Sequence, residues 1–117
     1  TGQCGACTVL IDGEVAKSCI TLAATVQRKT STTLEGLKDA EGKLTPIQQA
    51  FWDEAGLQCA FCAPGMVLTA TELLKGNAEP TDDEIRTAMA GNLCRCTGYQ
   101  SIVRAVRAAA RVMKQLK

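Results

Sequence analysis

The rhythm of hydrophobic and polar positions changes along this chain, and the change divides it. Near the start, Thr8-Val9-Leu10-Ile11 is a β-branched apolar run that predicts a strand. Asp12-Gly13 follows, a dipeptide that tolerates the positive φ values of a tight type I′ hairpin turn. Glu14-Val15-Ala16-Lys17-Ser18 returns as the partner strand. From Ile20 to Gly36 the pattern is mixed and rich in Thr, and one more short strand is expected before a turn at Glu35-Gly36. Lys38-Asp39-Ala40-Glu41-Gly42-Lys43 is charged and carries a glycine, so it reads as a surface linker.

Beyond the linker the rhythm is helical. Thr45-Pro46-Ile47-Gln48 carries a cap, a proline at the first helical position and a glutamine three residues after the cap. Ile47, Ala50 and Phe51 form the apolar stripe of that helix, and Gly56 is its expected stop. Pro64 opens a second helix with Met66, Val67, Ala70, Leu73 and Leu74 on one face and Gly76 at its end. Thr81-Asp82-Asp83-Glu84 caps a short third helix ending near Gly91. A fourth, with Thr97-Gly98-Tyr99-Gln100 as its cap, buries Ile102, Val103, Val106, Ala109, Ala110 and Met113. Arg104, Arg107, Arg111 and Lys114 line its other side, read as a solvated basic face. Ala55-Gly56-x-x-Cys59 recurs as Ala90-Gly91-x-x-Cys94, which suggests two helix–turn–helix units with both turns at one end of a bundle.

Composition adds a constraint. The 117 residues suit one domain or two small ones, and with 46% apolar but 3% aromatic residues the core must be aliphatic. Small aliphatic cores commonly need a metal or a cross-link. A net charge of +1 with acids and bases interspersed argues against a nucleic-acid binder. No apolar run approaches the ~18 residues of a membrane span. No secretory leader heads the chain, which begins Thr1-Gly2-Gln3-Cys4 without Met, and a cytoplasmic location is expected.

Seven cysteines decide the chemistry to look for. The count is odd, and pairs as close as Cys94 and Cys96 are awkward to bridge, so disulfides are a poor account of them. With no His, mixed Cys/His zinc and Rieske centres are excluded, which leaves all-thiolate coordination. Cys59-x-x-Cys62 and Cys94-x-Cys96 supply four thiols on two turns, with a helix start expected directly after each. Each turn would present its own two thiols to one iron, and the helix amides would stabilise the anionic sulfurs. The 31 residues from 63 to 93 exceed the ~12–20 of zinc ribbons, which favours a [2Fe–2S] cluster over zinc. The zinc reading, a stapled structural or adaptor module, stays open on these grounds. So does a redox sensor, although nothing resembles its output domain. Cys4, Cys7 and Cys19 are expected to converge at the base of the hairpin, and they match the last three members of the plant-type C-x4-C-x2-C…C spacing. Free thiols on a structural hairpin are the plainer alternative there.

The runs Gln3–Gly13, Gly56–Met66 and Gly91–Tyr99, the last reading Gly-Asn-Leu-Cys-Arg-Cys-Thr-Gly-Tyr, closely resemble the iron–sulfur subunit of the xanthine oxidase family of molybdenum hydroxylases. The resemblance covers essentially the whole chain. Ala60 and Ala63 stand where Gly and Thr are common in that family, and Thr45 where His is frequent. The larger departure is a missing N-terminal half of the ferredoxin-like part, with its first ligand. The resemblance implies an α+β fold: residues 1–36 as the C-terminal part of a β-grasp, plant-type ferredoxin-like domain, 37–44 as a linker, and 45–117 as a four-helix [2Fe–2S]-binding bundle. It implies one cluster on Cys59, Cys62, Cys94 and Cys96, and another on Cys4, Cys7, Cys19 and an absent cysteine. Electrons would pass from molybdopterin on a large partner subunit towards a flavin (FAD), usually on a medium subunit, with no substrate chemistry on this chain. Gln58 and Cys96 would face the partner's molybdopterin.

Overall fold

A computed structural model describes residues 1–117 as a small α+β protein. Strands β1 (Thr8–Ile11), β2 (Glu14–Lys17) and β3 (Ser31–Thr32) form one antiparallel sheet in the order β2-β1-β3. Ile11 pairs with Glu14, which leaves Asp12 (φ 52) and Gly13 (φ 85) as a two-residue turn, left-handed at both positions as the dipeptide predicts. Asp12 also anchors the third strand: its N–H donates to the Thr30 carbonyl at 2.8 Å, and its Oδ1 accepts the Thr30 N–H at 2.9 Å. Short 3-10 turns cover Ser18–Ile20, Ala23–Val26 and Leu34–Leu37, the last where only a simple turn was expected.

Four helices follow: α1 (Pro46–Asp53), α2 (Ala63–Gly76), α3 (Asp82–Met89) and α4 (Gln100–Gln115). Both expected capping boxes form. Gln48 N–H donates to Thr45 Oγ1 at 3.3 Å while Thr45 N–H donates to Gln48 Oε1 at 2.9 Å. Thr81 and Glu84 repeat the exchange at 2.7 and 3.3 Å. Each cap satisfies amides that no helical carbonyl can reach, a gain of about 1 kcal/mol apiece.

Two helix ends depart from the sequence reading. Helix α1 ends at Asp53, and the left-handed position of its closing turn falls on Ala55 (φ 52) instead of Gly56, whose N–H reaches back to the Phe51 carbonyl at 2.8 Å. Gly56 is needed for a different reason, since a Cβ there would sit 3.0 Å from both Ala105 Cβ and Phe51 Cδ1. An L residue pays roughly 1–2 kcal/mol for the left-handed region, while glycine loses about 0.4–1 kcal/mol through the greater freedom of the unfolded chain. Ala55→Gly should therefore stabilise the protein by about 0.5–1 kcal/mol, read as a Tm a few degrees higher; a lower Tm would contradict the strain assigned to Ala55. The second departure is α4, which does not follow Cys96 directly but starts at Gln100. Gly98 (φ 64) and Tyr99 (φ 68) are both left-handed, and two such residues in succession interrupt any right-handed helix.

Helix α1 packs chiefly against α4, and α2 against α3 and β1. That exchange of partners is what two related helix–turn–helix units would give, although the matching Ala55 and Ala90 differ in backbone, at φ 52 and −58. Phe51, Met66, Ile85, Ile102 and Val106 are fully buried between the helices. Helix α2 has the sheet on one side and helices on the other. Gly65, Leu68 and Thr69 are therefore buried as well as Met66, Val67, Ala70 and Leu74 of the expected stripe, whose Leu73 is half-buried. Three residues of the basic side of α4 are ion-paired: Arg107 meets Asp82 at 2.6 Å, Lys114 meets Glu79 at 2.6 Å, and Arg104 approaches Glu54 at 3.9 Å, while Arg111 is exposed as expected. These pairs are half-exposed, so each contributes under about 1 kcal/mol and mainly sets the seating of α4.

Candidate metal centre

All seven cysteines are free thiols, and the fold gathers six of them into three close pairs. Cys59 and Cys62 lie on the turn between α1 and α2; Cys94 and Cys96 lie on the turn between α3 and α4. The turns face each other, and the pairs form across them. Cys96 Sγ is 3.5 Å from Cys59 Sγ, and the Cys62 and Cys94 thiols lie near enough to shift each other's ionisation. The thiols nearest each other therefore come from different turns, whereas the sequence suggested that each turn would present its own two together. Ala60 sits in the first turn at φ 65, in the left-handed region, where glycine is less strained than alanine.

The electrostatics follow the pairing. Burial pushes the Cys62 thiol up to about 12, helped by its hydrogen bond to Cys94 and by the nearby charges of Cys94 and Cys59. For Cys94, burial opposes ionisation but is outweighed. Hydrogen bonds from the Thr97 hydroxyl and from the Thr97 and Cys96 backbone N–H groups bring it down to about 7. The turn amides thus offer a sulfur anion several donors at once. Cys96 is raised, first by its hydrogen bond to Cys59. No three ligating side chains converge on a single point that one ion could occupy. Cys59, Cys62, Cys94 and Cys96, four thiols on two facing turns, would suit the all-thiolate ligand set of a [2Fe–2S] centre.

The N-terminal thiols are only partly gathered. Ser18 N–H and Oγ both donate to the Cys7 carbonyl, at 3.2 and 2.8 Å, and this folds Cys19 over Cys7. The backbone N–H and thiol of Cys19 then lower the Cys7 thiol to about 7. Cys4 is exposed and does not join them in a three-thiol cluster, contrary to the expected convergence. Its carbonyl instead accepts the Leu93 N–H at 2.8 Å, one residue from Cys94.

That bond belongs to a buried junction that the sequence reading missed. Asn92, 2% exposed, donates through Nδ2 to Thr69 Oγ1 at 2.9 Å and accepts from Thr8 Oγ1 at 3.3 Å. Lys17 Nζ donates to the Gly91 carbonyl at 3.0 Å and to Thr8 Oγ1 at 3.1 Å. Gly5 and Gly65 let the backbones close over it: a Cβ on Gly65 would lie 2.4 Å from the Gly5 carbonyl oxygen. An asparagine two residues before a cysteine pair looks like a turn residue in sequence; only the fold shows it as the bolt between sheet and bundle. Gln58 is exposed beside Cys59, and Phe61 (78% exposed) and Leu93 (58%) stand out from the two turns.

Fold and donor set together define an iron–sulfur type of protein, and comparison with known proteins agrees. Residues 33–107 match a family model described as a [2Fe-2S] binding domain. The nicotine 6-hydroxylase small subunit of Paenarthrobacter nicotinovorans is 52% identical over 105 residues, which is 90% of this chain and 62% of that protein. This chain thus spans less than two thirds of that relative. Quinoline 2-oxidoreductase from Pseudomonas putida 86 has a chain that superposes with a TM-score of 0.91 at 44% identity, over 98% of this chain and 72% of that one. Aldehyde oxidoreductase from Desulfovibrio gigas superposes at 0.92 with 42% identity, over 100% of this chain but 13% of the other. The chain belongs to the [2Fe-2S] binding domain family, among the iron–sulfur subunits and domains of the xanthine oxidase type of molybdenum hydroxylase. No helix is long and apolar enough to cross a membrane.

Proposed function

We propose that this chain is the electron-transfer subunit of a molybdenum-containing hydroxylase or dehydrogenase. It would pass electrons from a molybdopterin centre on a large partner subunit towards FAD on a medium subunit or another acceptor. The observation that carries this reading is the facing of two thiol pairs across the helix-connecting turns of a [2Fe-2S] binding domain. Cys59, Cys62, Cys94 and Cys96 are the four ligands on this reading, and a [2Fe–2S] cluster held by them supplies reversible one-electron exchange. The rest is the work of the chain. The turn amides stabilise thiolate charge, α1 and α4 hold the turns at one end of the core, and the Asn92 junction ties that end to the N-terminal sheet.

Residues 1–36 belong, on this proposal, to a ferredoxin-like β-grasp domain, 37–44 to a linker and 45–117 to the helical domain. Cys4, Cys7 and Cys19 are ligands of a second [2Fe–2S] site whose remaining ligand lies outside this sequence. The close Cys7–Cys19 pair and the plant-type spacing support it. The Leu93 N–H to Cys4 carbonyl bond joins the residue before Cys94 directly to Cys4, and so links the two thiol groups through one hydrogen bond. Gln58 and Cys96, both exposed, face the partner's molybdopterin, with Phe61 and Leu93 as apolar contacts beside them. Seven free thiols suit a reducing compartment such as the cytoplasm.

The test uses the complex with its molybdenum-containing partner. Substrate is expected to bleach the visible absorption of this chain. Gln58→Leu, which keeps bulk but removes donor and acceptor, should slow that bleaching about tenfold, a barrier increase of ~1.4 kcal/mol, with iron content intact. No substrate-driven bleaching in the parent complex would refute the electron-transfer reading. An unchanged rate in Gln58→Leu would remove only Gln58 from it.

A further inference from the structure

The turn carrying Cys94 contains a hydrogen-bond circuit that coordination by the sulfur does not require. Thr97 Oγ1 stands 3.1 Å from Cys94 Sγ. The Tyr99 backbone N–H donates to the same Oγ1 at 3.1 Å, and the Tyr99 phenol oxygen accepts the Cys94 N–H at 2.9 Å. Three residues thus hold one another, and helix α4 begins with no side-chain cap on its amides. Thr97 faces the sulfur instead of serving as the helix cap.

The circuit fixes the direction of the hydroxyl. A threonine hydroxyl has one proton and two acceptor lone pairs. Tyr99 N–H occupies a lone pair, and a cysteine bound to metal is a thiolate with no proton to give. The hydroxyl proton is therefore left to point at Cys94 Sγ. The backbone is held in an unfavourable state to allow this. Tyr99 is left-handed at φ 68, which costs a residue with a side chain roughly 1–2 kcal/mol, and such strain collects where geometry serves function.

We propose that Thr97 is a positioning residue that sets reduction potential. Its hydroxyl donates to the Cys94 sulfur and makes a [2Fe–2S] cluster on Cys59, Cys62, Cys94 and Cys96 easier to reduce. The inference deepens the functional reading above and rests on it. Reduction adds one electron and no proton, so the reduced centre is one charge more negative. A hydrogen bond to ligand sulfur stabilises that state more than the oxidised one. The Thr97 and Cys96 backbone donors to the same sulfur stay in place when the hydroxyl is removed, so the side chain can be tested alone.

The experiment is a redox titration of the full chain, reconstituted with iron and sulfide, reduced stepwise with dithionite and followed by the paramagnetic signal of the reduced cluster. Thr97→Val keeps the shape and removes the O–H. It should lower the midpoint so that the oxidised-to-reduced ratio at a fixed potential rises about tenfold, ~59 mV for one electron. Thr97→Ser should stay with the parent. If Thr97→Val fails to assemble, Thr97→Ala carries the same expectation with no added methyl group. A Val or Ala variant with parental iron and sulfide and an unmoved midpoint overturns the proposal. So does failure of both to assemble, because Thr97 would then be a folding residue. A parent chain that takes up no iron and sulfide overturns the functional reading beneath it, which keeps the two failures distinct.

Discussion

Cys59→Ser and Cys94→Ser should each abolish metal loading of the helical turns and lower stability by on the order of 4 kcal/mol. The reason lies in the core. Its fully buried side chains include one aromatic, Phe51, and apart from Gly56 and Asn92 the residues of the two cysteine turns are exposed or half-buried. A centre that bridges the turns binds the folded chain only, so its binding free energy becomes folding free energy. Because Cys59 faces Cys96 and Cys62 faces Cys94, loss of any one thiol breaks a cross-turn link, and no neighbouring thiol can replace it. Cys19→Ser removes a thiol of the separate N-terminal group and should leave the helical centre loaded. Metal content and thermal unfolding of the three variants check this. Equal losses at Cys19, Cys59 and Cys94 would contradict two separate sites.

Gly65→Ala should destabilise the chain by about 3 kcal/mol, the upper end of the usual cost of overpacking, although glycine-to-alanine inside a helix ordinarily gains about 1 kcal/mol. At this position the steric effect wins. The added Cβ would lie 2.4 Å from the Gly5 carbonyl oxygen and 2.7 Å from Asn92 Oδ1, and backbone cannot swing aside as a flexible side chain can. Gly5 would have to retreat, taking with it the adjoining Cys4 carbonyl and its bond to Leu93 N–H. Sheet and bundle would separate at their most buried polar contact, where an unpaired Asn92 amide costs a further 1–3 kcal/mol or so. Gly76→Ala, in the same helix with open space around it, is the control and should be neutral or slightly stabilising. The pair is read by denaturant midpoints, and a Gly65→Ala variant as stable as Gly76→Ala would contradict the close approach.

What could be read from sequence was local. The Asp12-Gly13 turn and the Thr45–Gln48 and Thr81–Glu84 caps each depend on residues within three positions of one another, and all appear as expected. The helical faces were legible for the same reason, because a buried stripe needs only a period. Missed features depend on contacts between distant residues. Which thiol faces which follows from the winding of each turn, and alanines at φ 52 and 65 are not signalled by their residue type. Asn92 becomes a structural bolt only when Thr8 and Thr69, 84 and 23 residues away, arrive on either side. The start of α4 was misplaced because Tyr99 carries no mark of a left-handed residue, and its reason for being one lies in the Cys94 turn.

On the proposed reading, four thiolates on two facing turns hold a two-iron centre. Iron, zinc and acid-labile sulfide measured together on the anaerobically reconstituted Cys4→Ser chain test it most directly, because that variant isolates the helical site. About two irons and two sulfides per chain, with no zinc, are expected for one [2Fe–2S] cluster. Zinc near one per chain without sulfide would contradict it.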